Sequence, residues 1–134
     1  MTEAELQVVV INLCDRRDPP LPWIHIGDSR RVDAGGPWRQ GFPDMLIVGQ
    51  HHAITRELKG DGGELQPRQN VWLTWLCQAG MNADVWTPAS LRDGTIEREL
   101  TDLHWPRPDQ PPETNQERRL RELYIPRMAS RPPH

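Results

Sequence analysis

The sequence predicts an α/β fold: one domain over residues 1–104, followed by a Pro/Arg-rich extension over 105–134. Three observations carry that expectation. An amphipathic stretch opens the chain, two short apolar runs flank a glycine–histidine turn, and a second apolar stripe lies between a proline and a glycine placed to start and stop a helix. Interleaved helix-period and strand-period segments of this kind build a sheet covered by helices.

The elements follow in order. Leu6, Val9, Val10 and Leu13 recur at helical spacing within Glu3 to Leu13, although Val8 to Ile11 is β-branched and suits a strand as well. Asp18-Pro19-Pro20 ends this segment, and Leu21 to Ile26 alternates as a first strand. Gly27 to Gly41, rich in Gly, Arg and Asp, reads as a loop. Met45-Leu46-Ile47-Val48 is a short strand that turns through Gly49-Gln50-His51-His52 into a returning strand, Ala53 to Lys59. Gly60 to Gly63 breaks it. Pro67 fits the first helical turn and Gly80 the C-terminal cap, with Val71, Trp72, Trp75, Leu76 and Ala79 as one stripe between them. Ala83 to Thr87 is a strand stopped by Pro88, and Asp93 to Leu103 a last core helix. Beyond Trp105 the character changes: seven of the fourteen prolines fall in the last thirty residues, so this part reads as an arm or linker, with Glu117 to Tyr124 as a short arginine-rich helix.

Composition limits the function classes. A chain of 134 residues has room for one real core, but 36% hydrophobic residues and a mean hydropathy of −0.73 imply much surface. Cys14 and Cys77 form no Cys-x-x-Cys or Cys/His cluster, which argues for a reducing compartment and against a disulfide scaffold or structural zinc. The opening Met-Thr-Glu-Ala-Glu does not resemble a signal peptide, and no apolar run approaches membrane-spanning length. A soluble, cytoplasmic protein without a membrane partner is the expectation. Net charge of −3 weakens a nucleic-acid reading, yet Arg16-Arg17, Arg30-Arg31, Arg39, Arg56, Lys59 and Arg68 crowd the first half.

The chemistry-bearing pattern is Pro43-Asp44, a spacer, and Glu57-Leu58-Lys59, with Glu57 thirteen residues after Asp44. Fifteen arginines stand against a single lysine, and that lysine is Lys59. A chain that otherwise uses arginine keeps lysine where a compact ammonium is needed in place of a planar fork. Strand alternation puts Glu57 and Lys59 on one face and Leu58 toward the core. If the two strands form a hairpin, Asp44 comes beside Glu57 and Lys59. Two carboxylates are hard oxygen ligands of the kind Mg²⁺ or Mn²⁺ accepts, and the Leu58 carbonyl is a natural further ligand. Taken alone, Asp before a strand and Glu-x-Lys on one are also common as solvated polar faces.

The motifs together resemble the VRR-NUC family, the virus-type replication-repair nucleases of the PD-(D/E)XK superfamily. The resemblance rests on Gly41-Phe42-Pro43-Asp44-Met45-Leu46-Ile47-Val48, Arg56-Glu57-Leu58-Lys59, Gly63-Glu64-Leu65-Gln66-Pro67-Arg68-Gln69, Trp72-Leu73, Leu76, Ala79-Gly80 and Val85-Trp86, in this order over residues 3 to 103. Glu3-Ala4-Glu5-Leu6-Gln7 resembles the family's first helix, and Asp28-Ser29-Arg30-Arg31 the stretch before its Gly-x-Pro-Asp motif. The resemblance implies a restriction-endonuclease-like core with a mixed central sheet flanked by helices. It implies a divalent metal held by Asp44, Glu57, the Leu58 carbonyl and a first-helix acid, Glu3 ahead of Glu5. Lys59 would be catalytic, and Gln69 would touch the site or the DNA backbone. It further implies DNA hydrolysis, with stand-alone members similar to Holliday junction resolvases acting as homodimers on branched DNA. Arginine-rich coding, small size and the stand-alone domain suggest a phage or prophage gene serving replication, recombination or repair. The Val32 to Gln40 stretch is longer than the family's, and the Pro-rich tail has no counterpart.

Arg30, Arg31, Arg56 and Arg68 are the expected phosphate contacts. His25 reads as structural, His51-His52 as a solvated turn, and Trp72 with Trp75 as packing. Gly60 to Gly63 lacks the lysine-serine ending of a phosphate loop, so no nucleotide cofactor is expected. The alternatives from other classes are a nucleic-acid-binding module with the fold but little cleavage, and an interaction protein whose tail is the working part.

Overall fold

The computed structural model describes residues 1–26, 36–104 and 114–124. The order of elements is α1 (Glu3–Asp15), β1 (Trp23–His25), β2 (Met45–Val48), β3 (Ala53–Leu58), α2 (Pro67–Gln78), β4 (Asn82–Trp86), α3 (Pro88–Arg92), α4 (Thr95–His104) and α5 (Asn115–Tyr124). Four strands form one mixed sheet in the order β1-β2-β3-β4. β2 pairs antiparallel with both β1 and β3, while β3 pairs parallel with β4. α2 supplies the crossover that a parallel pair requires.

The helical alternative wins for the opening segment despite its β-branched run. Thr2 caps α1 by accepting from Glu5 N–H at 3.1 Å while Glu5 Oε1 accepts from Thr2 N–H at 3.0 Å. Leu6, Val10 and Cys14, four apart, are each 0% exposed, and such burial contributes about 1.5–3 kcal/mol for each of the two larger side chains. They meet Met45 and Ile47 of β2, Ile54 and Leu58 of β3, Trp86 of β4, and Ile96, Leu100 and Leu103 of α4 in the main core. Leu73 and Leu76 of α2 pack with Ala83 in a second cluster, joined by Phe42, Trp72 and Val85. Helices therefore cover both faces of the sheet.

α2 begins at Pro67, as expected, and ends in a Schellman arrangement. Gly80, at φ 90°, donates to Cys77 O, and Met81 N–H reaches back to Leu76 O at 2.9 Å. The last core helix, expected over Asp93 to Leu103, is α4, and a short helix absent from the sequence reading, α3, precedes it. Thr87 caps α3 with Pro88 in the first turn, Gly94 at φ 84° stops it, and α4 restarts at Thr95. The first strand is also shorter than Leu21 to Ile26, with Trp23 to His25 in register with β2 and single backbone bonds at its ends from Val48 N–H to Pro22 O and from Ile26 N–H to Asp44 O.

Arg56 is 0% exposed between β4 and α4. Its guanidinium donates to Thr55 O, Asn82 O, Asn82 Oδ1 and Glu99 Oε2 at 2.8–3.0 Å and lies 5.2 Å from the Trp86 ring centroid. Glu99 Oε1 accepts from Trp86 Nε1 at 2.7 Å. Among the described residues no helix is long and apolar enough to cross a membrane.

Candidate active site

β3 is the strand on which the site is built. Ile54 and Leu58 belong to the α1/α4 core, and Arg56 shares their parity. Glu57 consequently faces the α2 side, where it is buried, 1% exposed. The register Met45↔Arg56 puts Asp44 level with Glu57. The Leu58 N–H then donates to Asp44 Oδ2 at 2.8 Å, which fixes that carboxylate against the strand.

Two glycines let other elements close in. A Cβ on Gly60 would sit 2.7 Å from the Glu3 nitrogen and 3.0 Å from the Thr2 carbonyl carbon, so only glycine lets the start of α1 lie against the end of β3. On Gly41, at φ 89°, a Cβ would meet the Arg68 backbone carbonyl carbon at 2.6 Å, and its absence seats the Phe42-Pro43-Asp44 approach against the start of α2. The amino-terminal turns of α1 and α2 thus flank the same end of the sheet. Between them opens a cleft of about 950 Å³ lined by Glu3, His25, Asp44, Glu57, Lys59 and Gln69, among others.

One carboxylate oxygen from each of Glu3, Asp44 and Glu57 lies within 4.8 Å of the others. Gln69 Nε2 donates to Glu57 Oε1 at 2.9 Å, while Gln69 Oε1 accepts from Gln66 N–H at 2.8 Å. The second bond sets which way the amide points, so its NH₂ faces the carboxylate. Lys59 Nζ lies 3.8 Å from Glu57 Oε1. Glu57 Oε2 is buried with no hydrogen-bond partner, an expensive state for a carboxylate oxygen unless a cation joins it. Burial, then the charge of Asp44 and its hydrogen-bonding proximity, push the Glu57 carboxyl up to about 8, against a smaller opposing pull from Lys59. Glu3 is also raised, by partial burial first and Asp44 second. Three crowded oxygen donors, one of them orphaned, fit a hard divalent cation: Glu3, Asp44 and Glu57 are the side chains that could hold it.

Most of the expected residues meet here. Asp44, Glu57, Lys59, Gln69 and Glu3 converge, and exposed Arg68 lines the cleft. Glu5 does not join them, being engaged in capping α1. Arg56 corrects the expectation of a phosphate contact, because its guanidinium is fully buried on the opposite side of the sheet. Arg30 and Arg31 lie outside the described residues. Sequence reasoning passes over Gln40 and Gln66 as cleft residues and takes His25 as structural, whereas exposed His25 lines the cleft. The signal for His25 is its strand position: its partner across β1–β2 is Met45, the neighbour of Asp44.

No protein-family model matches the chain, and no curated protein matches its sequence. Among solved structures it is similar to a VRR_NUC domain protein, with a TM-score of 0.59 and 25% identity over 75% of this chain and 89% of that one. The family resemblance read in the motifs is thus met in three dimensions.

Proposed function

We propose that this chain is a Mg²⁺- or Mn²⁺-dependent DNA endonuclease with a PD-(D/E)XK-type core. The observation that carries the reading is the convergence of Glu3, Asp44 and Glu57 around an unpartnered, buried Glu57 oxygen, with the chain's single lysine beside it. The structural similarity to a VRR_NUC domain protein supports the same class.

In this reading Glu3, Asp44 and Glu57 hold the cation, together with the Leu58 carbonyl. When bound, that cation polarises the scissile phosphate and lowers the pKa of a water. Lys59 orients the attacking water and offsets charge growing on the phosphate oxygens, which a compact ammonium does without a fork's directional demands. Gln69 holds Glu57 in its rotamer through the 2.9 Å bond and so keeps the unpartnered oxygen aimed inward. Arg68 on the rim contacts a phosphate beside the scissile one, with Arg30 and Arg31 as further contacts. Branched DNA as substrate, a homodimer that places two sites on two strands, and a role in phage replication or repair complete the proposal. Residues 1–104 constitute the nuclease domain, with the Pro/Arg-rich segment from 105 as an appended arm.

Cleavage of labelled four-way junction, flap and linear duplex DNA with Mg²⁺, Mn²⁺ or EDTA tests it, with Lys59→Ala alongside. Wild type should cut only with metal, and Lys59→Ala should be slower by about 10²–10³-fold. Metal-independent cutting would overturn the metal-dependent mechanism, and binding without cutting by both proteins would replace the nuclease with the binding-module reading.

A further inference from the structure

Beside the cleft, four aromatic rings pack together, two pairs edge to face and one tilted, and are left half open. Trp38 is 62% exposed, and Trp75 41%. Ring centroids lie 5.1 Å apart for Phe42–Trp72, 5.4 Å for Trp72–Trp75 and 5.8 Å for Trp38–Trp75. Packing alone does not account for Trp38. A ring placed to fill space would be covered, and leaving this one in water forfeits most of its hydrophobic contribution.

Trp38 is nevertheless held in place. Its carbonyl accepts from Trp72 Nε1 at 2.8 Å, and it lies within a tight turn closed by Arg39 N–H to Gly36 O, followed by a second closed by Phe42 N–H to Arg39 O. One side of its indole is supported by Trp75, at an interplanar angle of 59°. The ring is therefore preorganised at one edge and open over the rest. It is also continuous with the cleft: Gln40 and Gly41, two and three residues on, line the cleft, as do Pro67 and Arg68 at the start of the helix that bears Trp72 and Trp75. A strand leaving the cleft past exposed Arg68 has this ring within a few nucleotides' reach.

We infer that Trp38 is a stacking platform for an unpaired nucleobase, so that the substrate carries a single-stranded or unstacked nucleotide next to the scissile phosphate. The inference rests on the DNA-nuclease reading and narrows its substrate class. A flat, supported indole offers a π-face that any base accepts, whereas the bases of an intact duplex are already stacked on one another.

Binding of fluorescein-labelled dT20 and of an abasic chain of equal length and charge, read by anisotropy in Ca²⁺, tests it without cleavage. Wild type should prefer dT20 over the abasic chain by about tenfold, the scale of stacking one base on an aromatic ring. Trp38→Ala should lose that preference, and Trp38→Phe should restore most of it. Equal discrimination by wild type and Trp38→Ala overturns the inference. So does sedimentation showing a wild-type dimer and a Trp38→Ala monomer with unchanged discrimination, which would make the patch a contact between copies of the chain. If dT20 binding depends on Trp38 but no DNA is cut, stacking stands and the nuclease falls. If DNA is cut while discrimination ignores Trp38, the nuclease stands and stacking falls.

Discussion

Replacing Glu57 with glutamine should stabilise the metal-free protein at alkaline pH, which is unusual for a change to a buried residue at the heart of a site. Burial and the neighbouring Asp44 raise the Glu57 carboxyl from 4.5 to about 8 in the folded chain. An acid raised on folding is bound more tightly to its proton in the native state, so native stability is fully present below pH 4.5 and is lost as pH climbs through 8. At about 1.36 kcal/mol per unit, the ionised carboxylate costs on the order of 4 kcal/mol at pH 8.5. Glu3, raised for the same reasons, acts in the same direction. The substituted amide keeps the shape of the side chain and cannot ionise, so the variant should be nearly flat where wild type declines. The assay is thermal unfolding in EDTA from pH 5 to 8.5, read as the difference between the two proteins. That difference cancels the amino terminus, which titrates in part of the range. Stopping at 8.5 keeps Cys14 silent, since burial pushes its thiol up to about 12. At roughly 3–4 °C per kcal/mol, Glu57→Gln should melt some 10 °C or more above wild type at pH 8.5 and close to it at pH 5. Millimolar Mn²⁺ should close the gap by stabilising wild type alone. A wild type whose Tm holds steady or rises from pH 5 to 8.5 would refute the reasoning, as would parallel curves for the two proteins.

Three further outcomes are expected. Gln69→Ala removes both the 2.9 Å bond to Glu57 and the 2.8 Å bond to Gln66 N–H, so Mn²⁺ affinity by calorimetry should weaken about 10-fold or more while the fold survives. Arg56→Met breaks a buried pair and leaves Glu99 and Asn82 short of a donor; urea unfolding should show a loss of about 3 kcal/mol, with the salt dependence of DNA binding unchanged. Gly60→Ala drives a methyl to 2.7 Å from the Glu3 nitrogen, so the start of α1 must shift, and Mn²⁺ affinity should fall several-fold while Tm moves by only a few degrees.

The hairpin and the helix after it are legible because their signals are local. Met45 to Val48 is a short apolar run, Pro67 and Gly80 bracket α2, and the strand parity of Glu57 and Lys59 puts both on one side. Parity also holds the answer for Arg56, which shares the side of Leu58; its charge overrides that rule when it is assigned to DNA. α3 escapes the sequence reading although Thr87-Pro88 with Ser90 is a helix start, because Pro88 reads first as the end of a strand. What no local pattern encodes is the approach of distant elements. The bond from Gln69 to Glu57 and the exposure of His25 to the cleft depend on how α2 and β1 meet the end of the sheet.

Arg56 and Glu57 are adjacent on β3 and project to opposite sides, one into a buried polar network and one into the carboxylate cluster. A slip of β3 by one residue would exchange them. A guanidinium would then stand among the Glu3 and Asp44 carboxylates, and a carboxylate would face Glu99 with no cation between them. The carboxylate facing Glu99 would be uncompensated charge out of water, so the slipped arrangement is penalised. The pair works as a proofreading device for strand pairing: a molecule with the wrong register fails to fold, and does not persist as a well-folded but inactive species. The active fraction of a preparation should accordingly track its folded fraction.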